Sequence, residues 1–150
     1  MAQLSDEIAT ALDAIARRGN LHMKRRNFRK ARAVFQEGLE LIPHPAYEWE
    51  AATWFFTAIA DAAFLSGDNQ GAANYLQMAR KCPDGLANPF ILLRLGQALT
   101  NLGEKEEGVG FLLEAFMVGG HDVFLGEHPR YWNLIQPMVE VIKHGATSRD

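Results

Sequence analysis

The chain has a single cysteine, Cys82, among 150 residues. No intramolecular disulfide is possible, which fits a reducing compartment. Long apolar runs are missing as well. The longest, Ala51 to Leu65, spans 15 residues with one charge, Asp61, short of the 18 or more that a membrane span needs. The N-terminus, MAQLSDEIATALD, carries acids where a signal peptide has lysines and an apolar core. A soluble protein is therefore expected, without a membrane partner. The five histidines, His22, His44, His121, His128 and His144, include no i, i+4 pair around a glutamate, and there is no cysteine pair. That pattern gives no support to a metal site or a metal cofactor. Alternating strand patterns are absent, so no glycine-rich phosphate loop can follow a strand. His121-Asp122 and Glu127-His128 read as loop-capping residues as readily as acid–base pairs. No catalytic motif or small-molecule substrate site emerges.

Net charge is small overall, but charge is unevenly placed. The net charge is −3, which argues against broad nucleic-acid binding. Lys24, Arg25, Arg26, Arg29, Lys30 and Arg32 put +6 into nine residues and leave −9 on the rest of the chain. The plainest reading of the cluster is a solvated helix–helix corner; the sharper one is an interface.

The remaining residues spell helices. Ser5 caps a first helix with Ile8, Leu12 and Ile15 at helical spacing. Asn27-Phe28 marks a turn, and a second helix carries Ala31, Phe35 and Leu39 until Pro43 and Pro45 stop it. A central helix runs from about Tyr47 to Ser66. It is apolar on nearly every side, as in helices packed between others. Gly67-Asp68 is a stop followed by a cap, and the next helix ends before Pro83-Asp84-Gly85. Asn88-Pro89 opens a fifth helix, Gly103 closes it, and the sixth runs from Glu104 to Val118. Residues 121–128 read as a loop. Pro129 opens a last segment ending at Gly145, where Pro137 predicts a kink or a break. The tail from Ala146 to Asp150 is expected to be disordered.

The helix pairs repeat. Three units start near Leu12, Thr53 and Pro89. At offsets 8, 20 and 27 they hold small residues: Gly19, Ala31 and Gly38; Ala60, Ala72 and Ala79; Gly96, Gly108 and Ala115. At offset 24 each holds a large one: Phe35, Leu76 or Leu112. Small residues let helices approach, and the large one fills the space between. Offset 15 is Gly67 and Gly103 in the later units but Arg26 in the first, and extra residues separate the first two units. These residues resemble the tetratricopeptide repeat (TPR). The resemblance implies an all-α, right-handed α-solenoid of three helix pairs, residues 12–45, 53–86 and 89–120. A C-terminal capping helix within 121–145 would complete a single domain over 1–145.

In that family the first helix of each pair lines a concave groove. The matching positions hold Asp13, Arg17, Asn20, Met23 and Lys24; Trp54, Thr57, Asp61, Phe64 and Leu65; and Phe90, Leu93, Arg94, Gln97 and Asn101. The best candidates for partner contacts are Arg17, Asn20, Trp54, Asp61, Phe64, Phe90, Arg94 and Gln97, because aromatic and arginine anchors suit a protein surface. The competing reading makes Trp54, Phe64 and Phe90 core residues. Asp61 either faces the groove or pairs with a cation such as Arg94 or Arg17.

Three further segments, NPFILLRLGQ (Asn88–Gln97), LLEAFM (Leu112–Met117) and FLGEHPRY (Phe124–Tyr131), resemble small bacterial TPR-type proteins encoded beside polymorphic, Rhs-type toxins. The resemblance implies a cytoplasmic immunity protein whose partner is a cognate toxin domain. A secretion chaperone holding a translocator peptide in its groove is the alternative. Neither implies an enzyme, a cofactor or direct nucleic-acid binding.

Overall fold

The computed structural model describes residues 3–147. Seven α-helices follow one another: α1 (Asp6–Lys24), α2 (Phe28–Leu41), α3 (Glu50–Leu65), α4 (Asn69–Arg80), α5 (Pro89–Asn101), α6 (Lys105–Gly119) and α7 (Pro129–Thr147). Two short 3-10 turns, Ala46–Glu48 and His121–Phe124, precede α3 and α7. The described residues contain no strand. The chain divides into two compact units, Met1–Leu86 and Ala87–Asp150. In the first, α2 packs on α1, α3 on α2 and α4 on α3. In the second, α5 packs on α6 and α6 on α7.

The helix starts follow their caps. The Ser5 hydroxyl accepts from the Ile8 N–H at 3.2 Å, Asp68 from the Gly71 N–H at 2.8 Å, and Asn88 from Phe90 and Ile91. Each removes an orphan donor of a first turn. The central helix starts later than expected, at Glu50, because the residues after Pro43 and Pro45 form a separate 3-10 turn. The Trp49 indole N–H donates to the Pro43 carbonyl at 3.0 Å and fastens this connection. α7 is neither broken at Pro137 nor finished at Gly145. Asn133, whose carbonyl loses its bond to the proline nitrogen, and Pro137 itself are exposed, so water can satisfy that carbonyl. Ala146 and Thr147 belong to the helix; residues 148–150 of the expected tail lie outside the described residues.

The repeat register holds inside both units. Ala31, Ala60, Ala72, Ala79, Leu76, Leu112 and Ala115 have no exposed surface, and Phe35 has 1%. A β-carbon on Gly19 would enter the Phe35 ring, and one on Gly96 would come within 2.8 Å of Leu112. Both glycines are therefore close-approach sites. The three intra-pair turns share one backbone. The N–H groups of Asn27, Asp68 and Glu104 donate to the carbonyls of His22, Ala63 and Leu99 at 2.9, 2.8 and 2.9 Å. The residue before each has positive φ: Arg26 at 60°, Gly67 at 90° and Gly103 at 89°. This is a Schellman closure, and the left-handed residue it demands favours glycine. Arg26 adopts it without being glycine.

The second turn is also tied to the first repeat. The Arg32 guanidinium donates to the Asp68 carboxylate at 2.8 Å and lies over the Tyr75 ring. The hydrogen bond from Arg32, then that from the Gly71 N–H, holds the Asp68 carboxyl below its usual range, and the same bond raises Arg32. A carboxyl with a depressed folded value adds stability above its unfolded value and loses it as pH falls through the folded one. Asp68→Ala removes both the cap and the pair, so it is expected to cost about 1 kcal/mol at neutral pH. The gap to the parent should shrink as the pH drops below about 4. Thermal melts of parent and variant across that range check it; a gap independent of pH contradicts it.

Candidate functional site

The first unit contains a hollow of about 530 Å³ between α1 and α3. Leu12, Asp13, Ala16, Arg17 and Asn20 supply one wall; Ala51, Trp54 and Phe55 supply the other. Helical spacing puts the α1 residues on one face, since 13, 16, 17 and 20 recur every three to four positions. Leu12 is buried and anchors that face, while Asp13, Arg17 and Asn20 are exposed.

Trp54 dominates the opposite wall. Its ring meets Phe35 edge-on at 5.5 Å and Phe55 at 4.9 Å. Those contacts fix the indole, yet 43% of the residue remains exposed. Trp54 is thus a large, rigid aromatic with one open side, beside the charged and amide groups of the α1 wall. Deeper in α3, Phe56, Ile59, Ala60 and Ala63 are buried, as their register positions require. Asp61 and Phe64 are half-buried and each is engaged with neighbouring groups. The Thr57 hydroxyl donates to the Thr53 carbonyl at 2.6 Å and so belongs to its own helix.

The other candidates lie in the second unit, on α5. Phe90 is 36% exposed, and the Arg94 guanidinium stacks on its ring at 5.0 Å. Two expectations are corrected here. Arg94 is 7% exposed and Gln97 not at all, so neither presents a free surface to a partner. Arg94 donates to the Gln97 side-chain oxygen at 2.7 Å and to Glu127, and the Gln97 amide donates to the same Glu127 oxygen at 2.8 Å. Burial demands this arrangement, because a cation and an amide without partners inside a fold each cost several hydrogen bonds' worth of solvation. The sequence leaves Glu127 open between a loop cap and one half of an acid–base pair. It is instead the anion that ties the segment before α7 onto α5. Asn101, one turn further along α5, likewise donates to the Tyr131 hydroxyl at 2.9 Å. Its Oδ1 accepts from Arg130 at 3.0 Å.

Among the described residues no three His, Cys, Asp or Glu side chains gather closely enough to hold a metal ion. Burial pushes the Cys82 thiol up, against a smaller lowering by Thr53, so at neutral pH it stays a thiol, the weaker nucleophile. His121 meets Trp132 edge-on at 4.5 Å, and His128 Nδ1 accepts from the Arg130 N–H at 3.1 Å. Both histidines thus have structural neighbours. No described helix is long and apolar enough to cross a membrane.

No protein-family model and no curated protein matches the chain. Solved structures do. The C-terminal TPR-containing domain of a Plasmodium falciparum protein described as FK506-binding matches with TM-score 0.72 at 19% identity, covering 94% of this chain and 97% of that one. The Sgt2 TPR domain from Aspergillus fumigatus matches with TM-score 0.62 at 17% identity, over 93% of this chain and 84% of that one. MamA matches with TM-score 0.63 at 12% identity, over 91% and 81%. At such identities the likeness shows the fold, an all-α arrangement of the tetratricopeptide, solenoid-forming type, and no more.

Proposed function

We propose that this chain is a non-catalytic protein-binding module, and specifically an immunity protein that occludes a cognate bacterial toxin domain one-to-one in the cytosol. The observation that carries the protein-binding reading is the hollow between α1 and α3, where Trp54 is held on one side by Phe35 and Phe55 and open on the other. Arg17 and Asn20 flank it with polar groups that fix orientation. Such a wall gives a protein anchor its burial and leaves charge for specificity. In the same unit Asp61 and Phe64 contribute less surface; Phe90, in the second unit, is an exposed aromatic of that unit.

The toxin reading rests on the likeness of Asn88–Gln97, Leu112–Met117 and Phe124–Tyr131 to small proteins encoded beside polymorphic toxins. It needs no cofactor and no nucleic acid. A charge of −9 outside the basic cluster suits a basic toxin domain by long-range steering. The test is co-expression with the product of the adjacent gene, followed by light scattering of the purified mixture. A one-to-one complex that restores growth supports the proposal. Growth arrest that this chain does not relieve, with no complex, overturns it. Tight binding of an extended secreted peptide in place of a folded domain would mark a chaperone.

A further inference from the structure

The three intra-pair turns share a backbone and differ in charge. In the second, Asp68 caps α4 and pairs with Arg32. In the third, Glu106 and Glu107 occupy the first turn of α6. Acids there suit the positive end of a helix dipole. The first turn reverses the pattern. The first turn of α2 has no acid, and its Asn27 makes no capping bond with its side chain. Arg29 and Lys30 stand there instead. Lys24, Arg25, Arg26, Arg29 and Lys30 are all exposed. Among the described residues none of these five has a carboxylate within ion-pair distance.

This arrangement opposes folding in three ways. Five cations, Lys24, Arg25, Arg26, Arg29 and Lys30, stand within seven residues with no carboxylate in the segment. Two cations face a helix dipole end of their own sign. Arg26 holds the left-handed conformation at φ 60° that the other two turns give to glycine, at a cost of about 1 kcal/mol. A hollow of about 370 Å³ lies among these residues, lined by Arg26, Asn27, Phe28, Arg29, Lys30 and Ser66. Strain and unbalanced charge held together at one exposed place mark a site that a ligand completes.

We infer that the basic turn at Lys24–Lys30 docks an acidic segment, a short run of Asp and Glu, on a protein partner. The inference rests on the protein-binding reading, and it stands whether or not the partner is a toxin. Charge decides against a nucleic acid. Outside Lys24–Lys30, which holds +5, the rest of the chain carries −8, so a long polyanion extending beyond the patch gains no net attraction there. A short acidic segment ends within the patch. Half-buried Phe28, with the Arg26 guanidinium 5.3 Å from its ring centre, offers the carboxylates' apolar stems a seat.

The test uses fluorescence anisotropy of the full chain with labelled oligoglutamate, oligoglutamine and single-stranded oligothymidylate. Oligoglutamate is expected to bind, with an affinity that falls steeply as salt rises. Arg29→Glu/Lys30→Glu should weaken it about tenfold or more. That variant places acids in the first turn of α2 and should melt no lower than the parent, so loss of fold cannot mimic loss of binding; Arg29→Gln/Lys30→Gln serves as the milder companion. Oligoglutamine should not bind, and oligothymidylate should bind no tighter than oligoglutamate. A Trp54→Ala variant that still binds oligoglutamate separates this surface from the α1–α3 hollow. Equal oligoglutamate binding by parent and charge-reversed variant, no binding at all, or tighter oligothymidylate overturns the inference.

Discussion

Glu127→Ala is expected to destabilise the second unit by about 3–5 kcal/mol, the range for removing one partner of a buried ion pair. The substitution removes the shared acceptor of Arg94 and Gln97, which are 7% and 0% exposed. Arg94 would keep its 2.7 Å bond to the Gln97 oxygen but lose the Glu127 carboxylate, and the Gln97 amide would lose the same oxygen. The segment from Gly120 to Pro129 would lose this tie to α5 and keep those of Asn101 to Tyr131 and Arg130, so it and α7 should open more often. Hydrogen exchange should then show lost protection in both α5 and α7. Glu127→Gln keeps one acceptor oxygen and should cost less. An Arg94→Met/Glu127→Met double variant should recover much of the loss, because apolar residues of similar size replace buried ion pairs well. If the double variant is as unstable as Glu127→Ala, the pair is not the source of the effect.

Phe35→Ala should be as damaging in the first unit, again by about 3–5 kcal/mol. The ring is 1% exposed, sits against Gly19 and meets both Trp54 and Phe55 edge-on. Its loss opens a cavity among α1, α2 and α3 and frees the indole that walls the hollow. Binding through Trp54 should therefore weaken even though Phe35 itself reaches no partner. The same contact makes Gly19→Ala costly, by roughly 1–3 kcal/mol of overpacking, less the gain in helix propensity. In a Phe35→Leu background that cost should shrink, since a smaller side chain leaves room for the new methyl. Urea unfolding of the four proteins closes the cycle. Additive effects would mean that Gly19 is not there for Phe35.

The pairing of Gly19 with Phe35 shows how much of the fold was legible. Small residues at fixed offsets and one large residue between them are local signals, and the helices they predict pack as that register requires. Caps were legible for the same reason: Ser5, Asp68 and Asn88 bond to N–H groups two or three residues away. The turn at Arg26 was legible only as an exception, because backbone hydrogen bonds impose its geometry against the side chain's preference. Of the two outcomes that Pro137 allows, a kink or a break, the helix is not broken. A proline's penalty depends on whether water reaches the orphaned carbonyl, and exposure is not written in the local pattern.

The site was legible in part. Arg17, Asn20 and Trp54 do meet around one hollow. Arg94 and Gln97 were placed on the right helix but given the wrong surroundings. Their partner Glu127 lies 33 and 30 residues away, and spacing within one helix cannot reveal it. The segments that resemble toxin-associated proteins contain Arg94, Gln97, Glu127 and Tyr131, residues whose side chains bond within the second unit. That part of the resemblance tracks the fold of the unit.

The central claim is that the α1–α3 hollow is where a protein partner seats, and the affinity of Trp54→Ala for the adjacent gene's product tests it most directly. Calorimetry on the folded variant should show a loss of about 2 kcal/mol or more, roughly thirtyfold, as for a hot-spot aromatic, with Arg17→Ala weakening binding further. An unchanged affinity, with the variant's fold confirmed by its melting curve, would contradict the account and move the partner to another face.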